Sequence, residues 1–208
     1  YLGILIYLAA HYKISNNKNI IKIINSKINE IFKKKIYLKN NKSGILDGVG
    51  SYIYFLILIS NILNKNYDNK YLPNILNEIN FNKIINNNNM DLIDGNSGLL
   101  LSLVRYYEKF KCDSSFKILN EYGMKIFKII KLNFDKNRND FLPGFSHGIS
   151  GITYALTAFN FYIKNKNINK FILILFKFEN KRFYSNKNKN WINTSKQKKF
   201  YHDYNQIS

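Results

Sequence analysis

Three stretches decide the fold of this chain: LDGVGSYIYFL at residues 46–56, IDGNSGLLLSL at 93–103 and FSHGISGITYAL at 145–156. Each stretch places a polar residue before a glycine, a small residue three positions after that glycine, and then a long apolar run. The leading glycines are 47 and 53 positions apart, which is a period typical of repeated helical hairpins. The sequence therefore predicts an array of repeated helical units.

The beginning of the chain follows the same pattern. Residues 3–8 align with residues 151–156, and the shift from Gly3 to Ser51 is 48 positions. The leading glycine of this first copy would fall just before Tyr1. We therefore expect the chain to begin inside a repeat.

The apolar residues show a helical period, because they recur at intervals of three and four and no sustained two-residue alternation competes with them. An apolar helix is predicted after each glycine, and an amphipathic helix follows it. Apolar helices must be surrounded, whereas amphipathic helices face water. The sequence therefore predicts an all-α fold, an incomplete α/α toroid of about four helical hairpins. The inner helices are predicted at about 3–12, 50–63, 96–110 and 149–163, and the outer helices at about 20–35, 73–85, 114–131 and 167–178.

Two residues suggest where outer helices begin. Pro73 suits the first turn of a helix, because its missing N–H has no partner there in any case. Asp113 suits an N-cap before Ser114. We therefore predict helix starts at these two positions.

The composition fits a protein with a buried core, and the charge raises the question of a partner. The chain has 208 residues, of which 46% are hydrophobic, and a formal net charge of +19. Such a charge can indicate a nucleic-acid partner. However, the lysines are scattered through asparagine-rich loops and helix faces, without a GxxG clamp or an RNP-like aromatic pair. We therefore expect no nucleic-acid partner, and keep a basic helical nucleic-acid binder as an alternative.

The single cysteine and the hydropathy pattern bear on where in the cell the protein is found. Cys112 has no internal partner for a disulfide, and no secretory signal pattern is visible, so we expect a cytoplasmic protein. Residues 45–63 are apolar enough to imitate a membrane span, but Asp47, Gly48 and other small or polar residues interrupt them. A buried helix is therefore predicted there, and no membrane span.

The glycine motifs also predict a site. Each motif should place a helix N-terminus, with its free N–H groups and partial positive charge, at one common end of the ring. Polar residues precede each glycine, and we expect them to converge at that end: Asp47, Asp91, Asp94 and His147.

At these residues the chain resembles the lanthionine synthetase C-like (LanC-like) family, most closely the C-terminal cyclase domain of class II LanM lanthipeptide synthetases. The resemblance rests on DGVGSYIY at 47–54, MDLIDGNSGLLLSL at 90–103 and GFSHGISGITYAL at 144–156. A fourth element, FENKRFYSNKNKNWIN at 178–193, is similar to a Tyr-Glu, Phe, Asn-Trp segment of the family, with Phe178 in place of the tyrosine. The resemblance covers essentially the whole chain, but this corresponds to only about the first half of the family domain. We therefore expect residues 1–208 to be a partial cyclase domain, truncated at both ends.

The resemblance implies a zinc-dependent lanthionine cyclase as the parent enzyme. In the family, the thiol of a peptide cysteine adds to dehydroalanine or dehydrobutyrine in the same ribosomal precursor peptide, which forms a thioether ring. The family's Zn²⁺ is held by Trp-Cys-His-Gly and Cys-His-Gly motifs, which this sequence lacks. We therefore expect the fragment to be inactive alone and to have the missing C-terminal half as a further partner. A non-catalytic peptide-binding toroid is the alternative.

By position in the motifs, the resemblance implies that His147 is the catalytic acid or base and that Asp91 pairs with it. A carboxylate beside an imidazole fixes the tautomer of the ring. Asp47 and Asp94 are expected to organise the turns, and Cys112 is assigned no role. His11 and the His202-Asp203 pair are not assigned to the site, and no metal ligand is predicted in this chain.

Overall fold

The computed structural model describes residues 1–39, 41–86 and 89–191, and this part of the chain is mostly helical. The prediction of an all-α fold is confirmed. Two short strands, β1 (Tyr184–Ser185) and β2 (Asn190–Trp191), form an antiparallel pair, and 3₁₀ turns occupy Ile36–Lys39 and Arg138–Asp140. The α-helices are α1 (Leu2–Ser15), α2 (Lys18–Lys33), α3 (Val49–Leu63), α4 (Tyr67–Glu78), α5 (Phe81–Ile85), α6 (Asn96–Phe110), α7 (Asp113–Asn137), α8 (Ile149–Ile163) and α9 (Lys166–Phe183).

The helices form two layers. Helices α1, α3, α6 and α8 contact one another in that order, and they are the inner layer. Each inner helix packs against the outer helix that follows it: α1 against α2, α3 against α4, α6 against α7, and α8 against α9. The four predicted hairpins are therefore present and are arranged side by side as an arc.

The outer helix α2 shows how the sequence pattern becomes packing. Ile24 and Ile28 on one face are fully buried, and Ile31 and Phe32 on the same face are nearly so. Lys22 and other polar residues lie on the exposed side. Burying each isoleucine contributes about 1.5–3 kcal/mol, so this apolar face holds the helix on the inner layer.

The two inner helices at the edges of the arc expose apolar side chains. The 48-residue shift aligns Tyr7 of α1 with Phe55 of α3, yet Tyr7 is 67% exposed and Phe55 is 1% exposed. Tyr154 and Phe161 of α8 are exposed as well. The reason is that α3 has inner neighbours on both sides, whereas α1 and α8 contact one inner neighbour each among the described helices.

Pro73 does not lie in a first turn, so that prediction is wrong. Helix α4 begins at Tyr67, and Pro73 lies inside it. The early start depends on tertiary contacts, because the hydroxyl of Ser60 accepts a hydrogen bond from the N–H of Asp68 at 2.9 Å. The carboxylate of buried Asp68 also lies 3.3 Å from Nζ of Lys109 on α6. The predicted helix at 73–85 is in fact two helices, α4 and α5.

Asp113 is not the N-cap of α7, so that prediction is also wrong. Cys112 is the N-cap, and its side chain and backbone exchange hydrogen bonds with Ser115 in a capping box. Helices α7 and α9 also extend beyond their predicted ends, to Asn137 and Phe183.

Residues 45–63 contain the predicted buried helix. Most residues of α3 are buried against the neighbouring helices. Among the described residues, no helix combines the length and the apolar character that crossing a membrane requires.

Candidate functional site

Three turns with the same backbone architecture precede the inner helices α3, α6 and α8. In each turn the leading glycine is the N-cap of the helix. The N–H of the next residue donates to the carbonyl seven positions earlier, at 2.9–3.0 Å. These bonds run from Val49 to Lys42, from Asn96 to Asn89 and from Ile149 to Leu142. The similarity of the three stretches in sequence therefore reflects one turn that is built three times.

The three turns lie side by side because their backbones are hydrogen bonded to each other. The N–H of Ile45 in the first turn donates to the carbonyl of Leu92 in the second turn, at 3.2 Å. The N–H of Leu92 donates to the carbonyl of Ser146 in the third turn, also at 3.2 Å. The N-termini of three inner helices are thus gathered at one end of the arc, where their partial positive charges favour acidic side chains.

Steric crowding explains why a small residue lies three positions after each leading glycine. A Cβ atom on Gly98 would overlap the carbonyl of Leu92 and the backbone nitrogen of Ile45, and one on Gly151 would overlap the carbonyl of Phe145. In the first turn, Ser51 fits this position and donates its hydroxyl hydrogen bond to the carbonyl of Gly48 at 2.6 Å. Close packing therefore requires glycine at this position in the second and third turns, whereas the first turn accommodates serine.

His147 and Asp91 meet at this end of the arc. Nδ1 of His147 lies 2.6 Å from Oδ2 of Asp91. The side chain of Asp91 is 11% exposed, whereas that of His147 is 59% exposed. An ionised carboxylate can only accept hydrogen bonds, so the ring donates from Nδ1. In the neutral ring Nε2 is therefore an acceptor, and the described residues offer it no hydrogen-bond partner.

Asp91 is itself held in place by its own turn. Its Oδ1 accepts the N–H of Asp94 at 3.0 Å, and its backbone N–H donates to Oδ1 of Asn89 at 3.0 Å. Its two carboxylate oxygens therefore have different tasks, because one closes the turn and the other binds the imidazole.

Lys42 connects the aspartates of the first and second turns. Its Nζ lies 2.7 Å from Oδ2 of Asp47 and 3.1 Å from Oδ2 of Asp94. Nδ2 of Asn89 donates to Oδ1 of Asp94 at 2.5 Å. Burial by itself would raise the pKa of Asp94, but the hydrogen bonds with Lys42, Asp91 and Asn89 outweigh it and hold that pKa below its ordinary value. Both aspartates thus stabilise the turns.

The site contains the one group of three potential metal ligands in the described ranges. Asp91, Asp94 and His147 offer ligand atoms within 4.8 Å of one another. This set does not fit the zinc that the resemblance implies, because thiolate and imidazole ligands would hold that ion. Its oxygens already accept hydrogen bonds, and the ammonium of Lys42 lies beside Asp94. We therefore assign no metal to it.

A groove of about 540 Å³ lies beside His147. Its volume is in the range of ligand-binding clefts. The groove runs from the histidine to the C-terminal end of α7, and its walls combine amide, apolar and aromatic side chains. The lining includes Asn89, Asn133, Asn137, Phe141, Leu142 and His147.

One buried residue of this region was not predicted from the sequence. Glu179 of α9 is 4% exposed, and its Oε1 accepts hydrogen bonds from the N–H of Gly144 at 3.0 Å and from the hydroxyl of Ser150 at 2.7 Å. Glu179 belongs to the segment 178–193 that carries the fourth resemblance. Its place in that segment was the sequence signal that could have identified Glu179.

Departures from the internal repeat could also have identified the pair. Four positions before the leading glycine, the first and third turns have Gly44 and Gly144, whereas the second has Asp91. Directly before that glycine, the first two turns have aspartate and the third has His147. The two unusual residues of the repeat are therefore the two that touch.

The other candidate residues lie apart from this pair. His11 is exposed on α1 and shares a hydrogen bond with Ser15 at 3.3 Å. Cys112 is exposed at the start of α7. Residues 192–208, including His202-Asp203 and the end of the fourth resembling segment, lie outside the described residues.

Comparison with protein-family models matches residues 1–204 to the family described as lanthionine synthetase C-like protein. No individual curated protein matches the chain. The family match covers all four hairpins and all three turns of the site.

Proposed function

We propose, from the premise that the chain belongs to the lanthionine synthetase C-like family, that it is part of a cyclase that forms thioether rings in a ribosomal peptide. Within the family, we place it with the C-terminal cyclase domains of the LanM type. The observation that carries the proposal is the 2.6 Å contact between His147 and buried Asp91 at the gathered helix N-termini.

The reaction is the addition of S–H across a carbon–carbon double bond. The peptide cysteine gives up its thiol proton to solvent, its sulfur bonds to the β-carbon of dehydroalanine or dehydrobutyrine, and the π electrons move to the carbonyl to give an enolate. A proton must then reach the α-carbon. We assign its delivery to the imidazolium of His147, a general acid in reach of solvent and of the groove.

Asp91 keeps His147 ready for this step. Because its Oδ2 accepts from Nδ1, the ring is held in one orientation and Nε2 is the atom that carries the transferred proton. Because Asp91 is nearly buried and tied to Asp94 and Asn89, its position does not depend on the substrate. The pair therefore has the arrangement that a proton donor needs.

Zinc, when bound by ligands outside the described residues, would supply the activation of the attacking thiol. The described residues do not fit that zinc, so the proposal gives them no part in the activation. We accordingly expect the 208-residue chain alone not to close rings. We further propose that the precursor peptide occupies the groove beside His147, and that the net charge of +19 attracts acidic parts of this peptide.

The test uses the full natural protein that carries this chain, supplied with Zn²⁺, and a synthetic peptide containing one dehydroalanine and one cysteine. Ring closure is followed by mass spectrometry as loss of thiol alkylation. The variant His147→Asn should reduce the rate by about 10²–10⁴-fold, the usual contribution of a general acid. The matched control is His11→Asn, which changes an exposed histidine far along the arc and should leave the rate unchanged.

A second readout reports proton delivery directly. In D₂O, the wild-type protein should place one deuterium at the α-carbon and give one stereoisomer of lanthionine, whereas His147→Asn should give a mixture. A full-length protein that binds the peptide but neither binds zinc nor closes rings would contradict the proposal and favour a peptide-binding role.

A further inference from the structure

Glu179 is an acidic residue in the interior that the chemistry above does not use. We propose that Glu179 is a positioning residue, which fixes His147 by holding both ends of the turn that carries it. It acts through His147 and does not itself meet the substrate. The structural role of Glu179 is independent of the proposed function, and only its benefit to catalysis rests on that function.

The geometry that carries this inference is a single oxygen with two donors. Oε1 of Glu179 accepts from the N–H of Gly144, three residues before His147, and from the hydroxyl of Ser150, three residues after it. One carboxylate oxygen therefore brackets the histidine and closes the segment into a loop.

The segment that Glu179 closes has other notable features. Gly144 has a φ of +98°, a left-handed conformation that glycine adopts readily. The N–H of Gly151 donates to the carbonyl of Gly144 at 3.4 Å, and this backbone bond spans the same segment. Leu142 and His147 of this segment also line the groove. Loss of the carboxylate would therefore loosen the segment 144–150, which carries His147.

Burial makes the position of the carboxylate well defined. Glu179 is 4% exposed, and it forms no ion pair with any described residue. A buried carboxylate is costly unless hydrogen bonds compensate it. Ser150 lies in the first turn of α8, where the free N–H groups favour an anion. The side chain is thus held against the start of α8.

The third turn is therefore fixed from two sides. The outer helix α9 holds it through Glu179, and the second turn holds it through the Leu92-to-Ser146 hydrogen bond. His147 lies between these attachments, and its ring meets Asp91 at 2.6 Å. Removing the attachment to α9 should lower the fraction of molecules in which the His147 ring is hydrogen bonded to Asp91.

The test follows the His147 ring and the Gly144 amide by NMR in the full 208-residue chain, so it needs no cyclase activity. In Glu179→Leu, amide exchange at Gly144 should become at least about tenfold faster, the effect of losing a hydrogen bond to a charged group. The ¹⁵N shifts of His147 should show that the Nδ1–H tautomer is no longer dominant. Exchange in the middle of α3, at Ile57, serves as the control for global stability.

Two further variants separate positioning from folding. Glu179→Gln keeps an Oε1 acceptor for both donors and should restore the slow exchange and the tautomer. Ser150→Ala removes one of the two donors and keeps the buried carboxylate in place. Amide exchange at Gly144 and the His147 tautomer should change in the same direction as in Glu179→Leu, but by less. This variant also tests the inference if Glu179→Leu fails to fold.

Unchanged Gly144 exchange and His147 tautomer in a folded Glu179→Leu or Ser150→Ala protein would overturn the inference. In the full natural protein, Glu179→Leu should lower kcat and leave KM for the peptide within about twofold, since a positioning residue acts on the transition state. If the wild-type protein closes no rings, the proposed function fails, while the NMR result still decides the role of Glu179.

Discussion

The N–H of Leu92 donates to the carbonyl of Ser146 at 3.2 Å, and this bond joins the turn of Asp91 to the turn of His147. The two site residues are 56 positions apart in the chain and lie on consecutive repeats. Since each side chain is one residue away from this backbone bond, their separation is set by the backbone and not by long flexible side chains. The contact is therefore a product of how the repeats stack.

Asp91→Asn should reverse the tautomer of His147. Oδ1 of the new side chain can keep the N–H of Asp94, and its Nδ2 then points to Nδ1 of His147 as a donor. The neutral ring must accept there, which moves its proton to Nε2. The ¹⁵N shifts of the ring measure this change, and Asp47→Asn, which alters a turn without touching His147, should show none. An unaltered ring in Asp91→Asn would mean that Asp91 does not set the tautomer.

Lys42→Met should destabilise the protein in a pH-dependent way. The folded-state pKa of Asp94 is held below its ordinary value, so its stabilising contribution is present at neutral pH and is lost as the pH falls through that lowered pKa. Lys42 is half exposed, so we expect a small loss of stability at pH 7, as is usual for an exposed ion pair. Urea unfolding between neutral pH and about pH 3 should show the difference from wild type shrinking below about pH 4.

Lys128→Met, on the exposed side of α7, is the control for the loss of one positive charge. It should unfold like the wild type across the same pH series. A difference between Lys42→Met and wild type that stays constant down to pH 3 would argue against the ion pair with Asp94.

Gly123→Ala should destabilise the packing of α7 on α8. Alanine gains about 1 kcal/mol over glycine inside a helix. However, its Cβ would overlap the ring of Phe159, which is fully buried. Overpacking of this kind costs about 1–3 kcal/mol, so the net effect on the free energy of unfolding should be a loss. In a Phe159→Leu background, the same substitution should cost less or become favourable, as measured by urea unfolding.

Cys112 should react as a thiol that ionises near neutrality. Hydrogen bonds with Ser114 and Ser115 lower the pKa of its thiol to about 7. The thiolate is the reactive form, so alkylation by iodoacetamide should be about tenfold faster at pH 8 than at pH 6. The chain has no other cysteine, so the labelled residue is unambiguous. In Ser114→Ala the midpoint should move toward the ordinary value, and a wild-type midpoint near 9 would contradict this prediction.

The sequence predicted the fold better than the ends of its helices. The repeated glycines gave the starts of α3, α6 and α8, because a tight turn before a helix requires the same residue types each time. The predicted starts at Pro73 and Asp113 were wrong, because contacts from Ser60 and Ser115 decided them. Local preference is a weak guide where a buried side chain supplies a cap.

The candidate site was predicted in part. The resemblance identified Asp91 and His147, and the repeat explained why both lie at helix N-termini. Lys42 and Glu179 were missed, since no local pattern distinguishes a lysine that bridges two turns or a glutamate that binds a loop 35 residues earlier in the chain. Such roles depend on partners that only folding brings into contact.

The sequence by itself determined that this chain is a series of helical hairpins with glycine turns at one end, because the period of apolar and small residues is a local property of the chain. Only the tertiary structure decided that the imidazole of His147 meets the carboxylate of Asp91 and that Glu179 holds the turn beneath it. A hydrogen bond requires donor and acceptor within about 3 Å. That distance is fixed by the stacking of repeats and not by the order of residues.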